Sequence, residues 1–424
     1  MTKTSSTKAY LSVFGSALFF FFIFIQMNMF NALAKDLIQD FSLSSAQLGN
    51  LSANYFYATV LFLIPAGMIL DRFSTRLCVI VVMGISIACT ILFSLSHFYL
   101  QAAITRFVLG MCGAFCLLSS VRLASQWFSG EKIGFVIGCV ITIAMAGGLC
   151  AQTPLTWAVD ALGWRHALLL DAGIGVILLA LIMLLVNDTP TKRYHQPTET
   201  GMGLKAIISD LLQVMKNPQN ILAGCYTGLM NLPLMLLGAI WGSLYLTQYN
   251  HLSRPNASWV VMLLFVGTII GSPVAGWISD RLQKRVLPMI LGALASMAVI
   301  IFLMFAPHLS MPTLIVLFFL LGFFTSSQVI SYPLIIESNR GALIGAAEGL
   351  ASMIIMAGGF LQPVFGYMLM WHHPHPLHKA LIYTHQDFYL AMLIIPAGFI
   401  ISLMICFFLK ESHAKSMYPA DHHA

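Results

Sequence analysis

Arg106, in the stretch "TRFVLGMCGAF" at 105–115, is the one lysine or arginine set inside a long apolar run. An arginine at the centre of a membrane span costs about 2.5–3.5 kcal/mol on insertion scales, so it must face a cavity or a partner. Its planar fork suits a carboxylate or a phosphate. Gly110 and Gly113 fall on the same helical face. Two readings stand open. The fork contacts a substrate or takes part in ion coupling, or it makes a structural pair with Asp171 or snorkels to the interface. Glu348, in the run at 344–371, poses a similar choice. It is a protonatable switch, or a charge favoured by a helix N-terminus and paired with Arg72 or Arg281.

Uncharged polar side chains extend the set. Gln26, Asn28 and Asn31 lie in the first apolar run, and Asn54 and Tyr57 one turn apart in the second. Tyr226 and Asn231 lie in the seventh, close to Pro233, which breaks helical hydrogen bonding. Thr325, Gln328 and Tyr332 share one face of the tenth. Each can touch a substrate or hydrogen-bond a neighbouring helix. "WHHPHPLHKALIYTH", 371–385, gathers histidines in one loop. Its spacing matches no metal site, and it reads as solvated.

A charged phrase is written twice. "AGMILDRFSTR" at 66–76 returns as "AGWISDRLQKR" at 275–285, so Gly67, Asp71, Arg72 and Arg76 match Gly276, Asp280, Arg281 and Arg285. "IGFVIGCVITIAMAGG" at 133–148 returns as "IGAAEGLASMIIMAGG" at 344–359. Two matches at nearly one offset make the halves parallel repeats, with a site expected where they meet near the midplane.

The elements that must position these residues are membrane helices. The chain has 424 residues, 59% hydrophobic and 8% charged, where a soluble domain carries about 25% charged residues. Runs of spanning length recur at 9–33, 47–70, 77–97, 101–121, 133–158, 167–187, 220–248, 257–278, 287–306, 313–336, 344–371 and 387–409. Backbone groups in lipid need internal hydrogen bonds, so the spans are helical. The fold class is an all-α membrane protein, twelve transmembrane helices as two parallel six-helix repeats. Residues 1–187 form one bundle, 188–219 a polar cytoplasmic linker, and 220–424 the second bundle. "GLKAIISDLLQVM" within the linker reads as a short interfacial helix.

The net charge of +6 is sorted by side rather than clustered, which argues against nucleic-acid binding. Lys3, Lys8, Arg72, Arg76, Lys192, Arg193, Arg281, Lys284, Arg285 and Lys410 fall on one side; Lys35, Arg165, Arg254 and Lys379 fall on the other. The positive-inside rule then puts both termini in the cytoplasm. Residues 1–34 imitate a signal peptide, but their apolar run exceeds a signal core. The eight cysteines lack zinc-like spacing and read as small buried hydrophobes.

Six spans plus six, a polar central loop, and Gly-x-x-x-Asp-Arg after the second and eighth spans resemble the major facilitator superfamily over essentially the whole chain. The family phrase continues with Gly and two basic residues. Ser74 and Thr75 replace the first two here, and Arg76 stands. The resemblance implies that Asp71 meets the glycine-rich start of the eleventh span and Asp280 that of the fifth, which latches the cytoplasmic side shut. Arg72 and Arg281 can add ion pairs. It also implies that spans one, four, seven and ten line the cavity.

The family often has Arg-x-x-Gln-Gly in the fourth span, associated with proton-coupled carriers. Arg106 and Gly110 match, while Leu109 replaces Gln. "RFVLGMCG" followed by "WFSGEK" at 127–132 is similar to the branch with lysosomal dipeptide transporters and bacterial phagosomal nutrient transporters. Ala114 and Met145 stand where dipeptide carriers are expected to have an acidic residue and an arginine, which argues against dipeptides.

The reading is a secondary active transporter, working by alternating access on a small organic solute. A carboxylate-bearing nutrient such as an amino acid leads, with protons as a candidate coupling ion. The rivals are a uniporter of dipeptides or nucleosides, a drug or siderophore exporter, a sugar-phosphate carrier, and a substrate-free receptor or scaffold. The spans lack the clustered Asp, Glu and His of a membrane enzyme. No Gly-x-x-x-x-Gly-Lys-Ser/Thr loop points to ATP drive. No cofactor is expected. The expected setting is the lipid bilayer of a bacterial inner membrane, as a monomer.

Overall fold

In this computed structural model the described residues are 3–128, 130–187, 204–306, 309–340, 343–371, 383–415 and 417. They form twelve helical spans: α1 (Thr7–Asn28), α2 (Ser45–Leu70), α3 (Thr75–Ser94), α4 (Tyr99–Trp127), α5 (Val136–Leu162), α6 (Trp164–Leu185), α7 (Pro218–Gln248), α8 (Arg254–Leu282), α9 (Val286–Phe305), α10 (Met311–Glu337), α11 (Ile344–Leu369) and α12 (His385–Phe408). Residues 188–203 of the linker lie outside the described set. The helix expected inside the linker spans Leu204–Met215.

Local chemistry sets the helix ends. Ser44 caps α2 and exchanges hydrogen bonds with Gln47 in a capping box; Ser253 and Ser310 cap α8 and α10. Two spans depart most from the expected bounds. The first run, predicted at 9–33, breaks at Met29, and a second helix covers Phe30–Phe41. Asn28 Nδ2 donates to the Phe24 carbonyl one turn back, a bond that competes with the helical ladder. The fourth, predicted at 101–121, continues to Trp127 because Leu123, Ala124 and Trp127 give its polar end a buried face.

The described residues fall into two compact units. The first runs through α6 and includes Ala239–Leu244; the second holds the remainder. One packing device occurs in each. In the first, a Cβ on Gly110 of α4 would lie 2.0 Å from the Tyr55 carbonyl oxygen of α2. Thr59 Oγ1 sits 2.9 Å from both the Tyr55 and Gly110 carbonyl oxygens. In the second, a Cβ on Gly322 of α10 would lie 2.0 Å from the Leu264 carbonyl oxygen of α8. Thr268 Oγ1 sits 2.9 Å from Leu264 O and 3.4 Å from Gly322 O. Small residues thus let two backbones touch, and a threonine hydroxyl bridges them.

Several spans are interrupted. α7 turns at Asn231 and runs as a π-helix over Leu234–Trp241. α10 passes through a 3-10 turn at Ser326–Ile330, and α11 through one at Gly358–Phe360. Such irregularities expose backbone groups and often mark functional positions.

Candidate functional site

The glycine contact between α2 and α4 fixes where Arg106 goes. One turn before Gly110, its side chain is 0% exposed. Nη1 donates to the Gln26 carbonyl at 2.7 Å and Nη2 to the Ser52 carbonyl at 3.3 Å. The guanidinium carbon lies 4.6 Å from the Phe30 ring centre and 5.2 Å from that of Tyr55. Among the described residues Nε has no hydrogen-bond partner. Gln26 belongs to the last turn of the first helix, where carbonyls lose their intrahelical donors and carry the negative end of the dipole. Dipoles and ring faces therefore compensate the cation, with cation–π contacts worth about 2 kcal/mol when desolvated.

Gln26 ties this cage to the rest of the first unit. Its Nε2 donates to Asp171 Oδ2 on α6, and its Oε1 accepts from Thr90 on α3 at 3.2 Å. A second buried pair joins Asn31 to Gln152 of α5. Asn31 Oδ1 also accepts from the Ser243 backbone N–H at 2.8 Å. Arg106 and Asp171 are not a direct pair; Gln26 stands between them. Gln152 and Thr90 carried no signal in the sequence, because neither stands out from its apolar run until the partner helix is known. Asn54 and Tyr57 are half-buried, with the Tyr57 hydroxyl 3.4 Å from Asn50 Oδ1.

In the second unit the selected residues divide. Gln328 Nε2 donates to Asn231 Oδ1 at 3.4 Å, joining the irregular parts of α7 and α10. Tyr332 and Glu348 are half-buried electrostatic neighbours. Tyr226 is fully buried, its hydroxyl 2.8 Å from the Met289 carbonyl and 2.9 Å from Ser327 Oγ. Thr325 turns back on its own helix, donating to the Leu321 carbonyl at 2.7 Å. Of the histidine-rich loop, residues 372–382 lie outside the described set; His385 Nε2 hydrogen-bonds the Tyr249 hydroxyl.

The second charged phrase builds a network at the turn between α8 and α9. Arg285 Nη1 pairs with Asp280 Oδ1 at 2.5 Å and Nη2 with Glu337 Oε1 at 2.7 Å. Partial burial works against this cation, but hydrogen bonds and charge from the two carboxylates raise its pKa above the ordinary value. Glu337, at the end of α10, was not visible as a site in the sequence, since the first half has no acid at the corresponding end of α4. The segment after α12 closes over the network. Glu411 accepts from the Arg285 and Val286 backbone N–H groups at 2.7 and 2.9 Å, an anion at the start of α9. The Ser412 hydroxyl donates to Glu337 Oε2, and the Met417 N–H donates to the Glu337 carbonyl at 2.7 Å.

The first phrase looks different. Arg76 Nη2 donates to the Met183 carbonyl at 2.8 Å, and Arg72 is exposed. The Asp71 side chain lies outside the described set. Arg281 lies 5.3 Å from the Trp277 ring centre. The space beside Gly67 and Gly276 is open, and a Cβ on either would meet nothing within 4 Å.

The family model described as Major Facilitator Superfamily matches residues 16–246 and again 227–423. The chain belongs to the Major Facilitator Superfamily. The double match repeats the two six-helix halves read from the sequence. As a member of this superfamily the protein is a multi-pass transporter of small molecules in a lipid bilayer, and not an enzyme. It is 27% identical to the membrane sensor protein UhpC of Salmonella typhimurium, over 96% of this chain and 92% of that one. It is 24% identical to a D-galactonate transporter of Escherichia coli, over 78% of this chain and 82% of that one. The fold matches the crystal structure of a bacterial homolog of the human lysosomal transporter Spinster, inward-facing and unoccupied. There the TM-score is 0.78 at 16% identity, covering 99% of this chain and 100% of that one.

Proposed function

We propose that this superfamily member is a secondary active transporter of a small organic anion with a carboxylate, working by alternating access. The observation that supports the reading is the incomplete engagement of Arg106. Its fork is held by neutral carbonyls, and Nε has no partner among the described residues. A carboxylate entering when the cage opens would replace weak neutral acceptors with a bidentate, charge-assisted pair. The relative named as a D-galactonate transporter carries such an anion, which adds sugar acids to amino acids as the classes to test first. Asn231, Gln328 and Tyr332, at the irregular parts of α7 and α10, are the polar groups assigned to the rest of the molecule. Proton coupling completes the proposal, in a bacterial inner membrane with both termini cytoplasmic and the chain as a monomer.

A thermal-shift screen of the purified protein against sugar acids, amino acids, dipeptides, nucleosides and sugar phosphates identifies the ligand, and uptake into liposomes follows. Arg106→Lys keeps the charge but reduces a fork to a point contact. Hydrogen bonds to charged groups contribute about 1.5–3 kcal/mol, so binding should weaken roughly ten-fold to hundred-fold, with Arg106→Ala weaker still. Folded Arg106→Lys protein that binds and accumulates substrate normally would falsify the anion role. Ligand binding without flux in liposomes would instead favour a sensor, the role printed in the name of UhpC.

A further inference from the structure

Asp171 is the buried acid that the transport reading leaves without a role. It sits seven residues into α6 and is 5% exposed. Its hydrogen-bond donor is the neutral amide of Gln26. Burying an ionised carboxylate with one neutral donor and no direct cation is costly, and the cost disappears when the group holds a proton. The nearest full positive charge in the network, Arg106, is occupied by the other end of the same residue, the Gln26 carbonyl. One residue thus separates an acid from a cation, through its side-chain amide on one side and its main-chain carbonyl on the other, and each is incompletely compensated.

We propose that Asp171 is a proton-binding site, and that proton loading there is read out through Gln26. With the proton bound, Asp171 is satisfied by the Gln26 amide, as in this structure. When the proton leaves, the carboxylate competes with the Gln26 carbonyl for Arg106. Gln26 lies in the last turn of the first helix, so that exchange pulls on α1 against α3, α4 and α6. The inference rests on the proton-coupled reading above and gives it an address.

The surroundings favour a proton over a metal cation. The atom presented to the carboxylate is an N–H donor, and an arginine lies one residue away through Gln26. Both repel a sodium ion. The other ionisable groups from the packed elements are few. α5 brings Cys150, an electrostatic neighbour of Asp171, and Asp160, which is exposed. α3 brings Cys78, Cys89 and Arg76; Cys89 neighbours Cys112 of α4, and Arg76 donates to the Met183 carbonyl at the far end of α6. α1 carries Lys8 and Tyr10, near its opposite end. Within α6, Arg165 pairs with Asp40 and His166 is exposed.

The test is a pH titration of the purified full chain, followed by the infrared C=O stretch of a protonated carboxyl. Wild type should show a band that bleaches as pH rises. Asp171→Asn should lose it, and Asp171→Glu should keep it, shifted. Arg106→Gln removes the partner of the ionised form, so bleaching should move up by about one pH unit or more, a ten-fold change in proton affinity. A wild type without the band, or an Asp171→Asn protein that retains it, overturns the site. An unmoved midpoint in folded Arg106→Gln protein overturns the link to Arg106. Replacing sodium by choline should leave the midpoint in place; a sodium-dependent shift overturns the proton in favour of a metal cation. Wild-type liposomes in which a pH gradient drives no accumulation, while the Asp171 band titrates, would leave the proton site standing and remove the coupled-transport reading beneath it.

Discussion

A guanidinium is tolerated inside the first bundle because its charge is spread over several atoms, its nitrogens meeting carbonyls and its carbon lying over two rings. The same chemistry at the α8–α9 turn gives a different object. There Arg285 meets two carboxylates directly, and the pair members differ in exposure. The Asp280 side chain is 67% exposed and that of Glu337 13%. Exposed pairs contribute roughly 0–1 kcal/mol, whereas breaking a buried pair costs about 3–5 kcal/mol. Asp280→Asn should therefore leave the melting temperature nearly unchanged, and Glu337→Ala should lower it clearly. The effect of Asp280→Asn should appear in conformation instead. Distances between labels at the cytoplasmic ends of the two halves should shift toward inward-open forms, as they should for Asp71→Asn. Unchanged distance distributions in both variants would reduce the repeated phrase to a topology signal.

Two pairs of spans, α2 with α4 and α8 with α10, approach closely through the threonine–glycine contact. A Cβ at Gly110 or Gly322 would meet a backbone carbonyl rather than a side chain that can turn away. Gly110→Ala and Gly322→Ala should each destabilise by about 1–3 kcal/mol or more, the range for overpacking. The check is thermal unfolding in detergent, with Gly67→Ala as the comparison that should cost little. The spans themselves were legible, since lipid imposes helix on any long apolar run. Their interruptions were less so. Pro233 marks the bend in α7, but nothing in "SSQVI" announces the 3-10 turn of α10. The contact was present in the repeat as Thr59 and Thr268, yet a threonine in an apolar run reads as ordinary helix until the opposing backbone is known. Asp171 was legible as a partner for Arg106; that Gln26 intervenes depends on where the first helix ends. Glu337 has no acidic counterpart in the first half, where Gln126 stands at the matching offset, so comparing the halves could not reveal it.

At the scale of the whole molecule, twelve spans and a sorted charge predict which surfaces face which compartment. In a background without reactive native cysteines, Lys284→Cys should label only from the cytoplasm and Asn256→Cys only from outside, although one lies just past the end of α8 and the other in its first turn. Reversed accessibility would overturn the orientation. The segment after α12 has a practical corollary for anyone handling this protein. Glu411 supplies the anion at the start of α9, and Met417 is still hydrogen-bonded to the end of α10. A fluorescent reporter or purification handle spliced in at Leu409 would strip out both contacts and leave Arg285 with a weakened frame. The same handle joined beyond Met417 spares them. Two fusions that differ by a few residues should therefore give preparations of different shelf life.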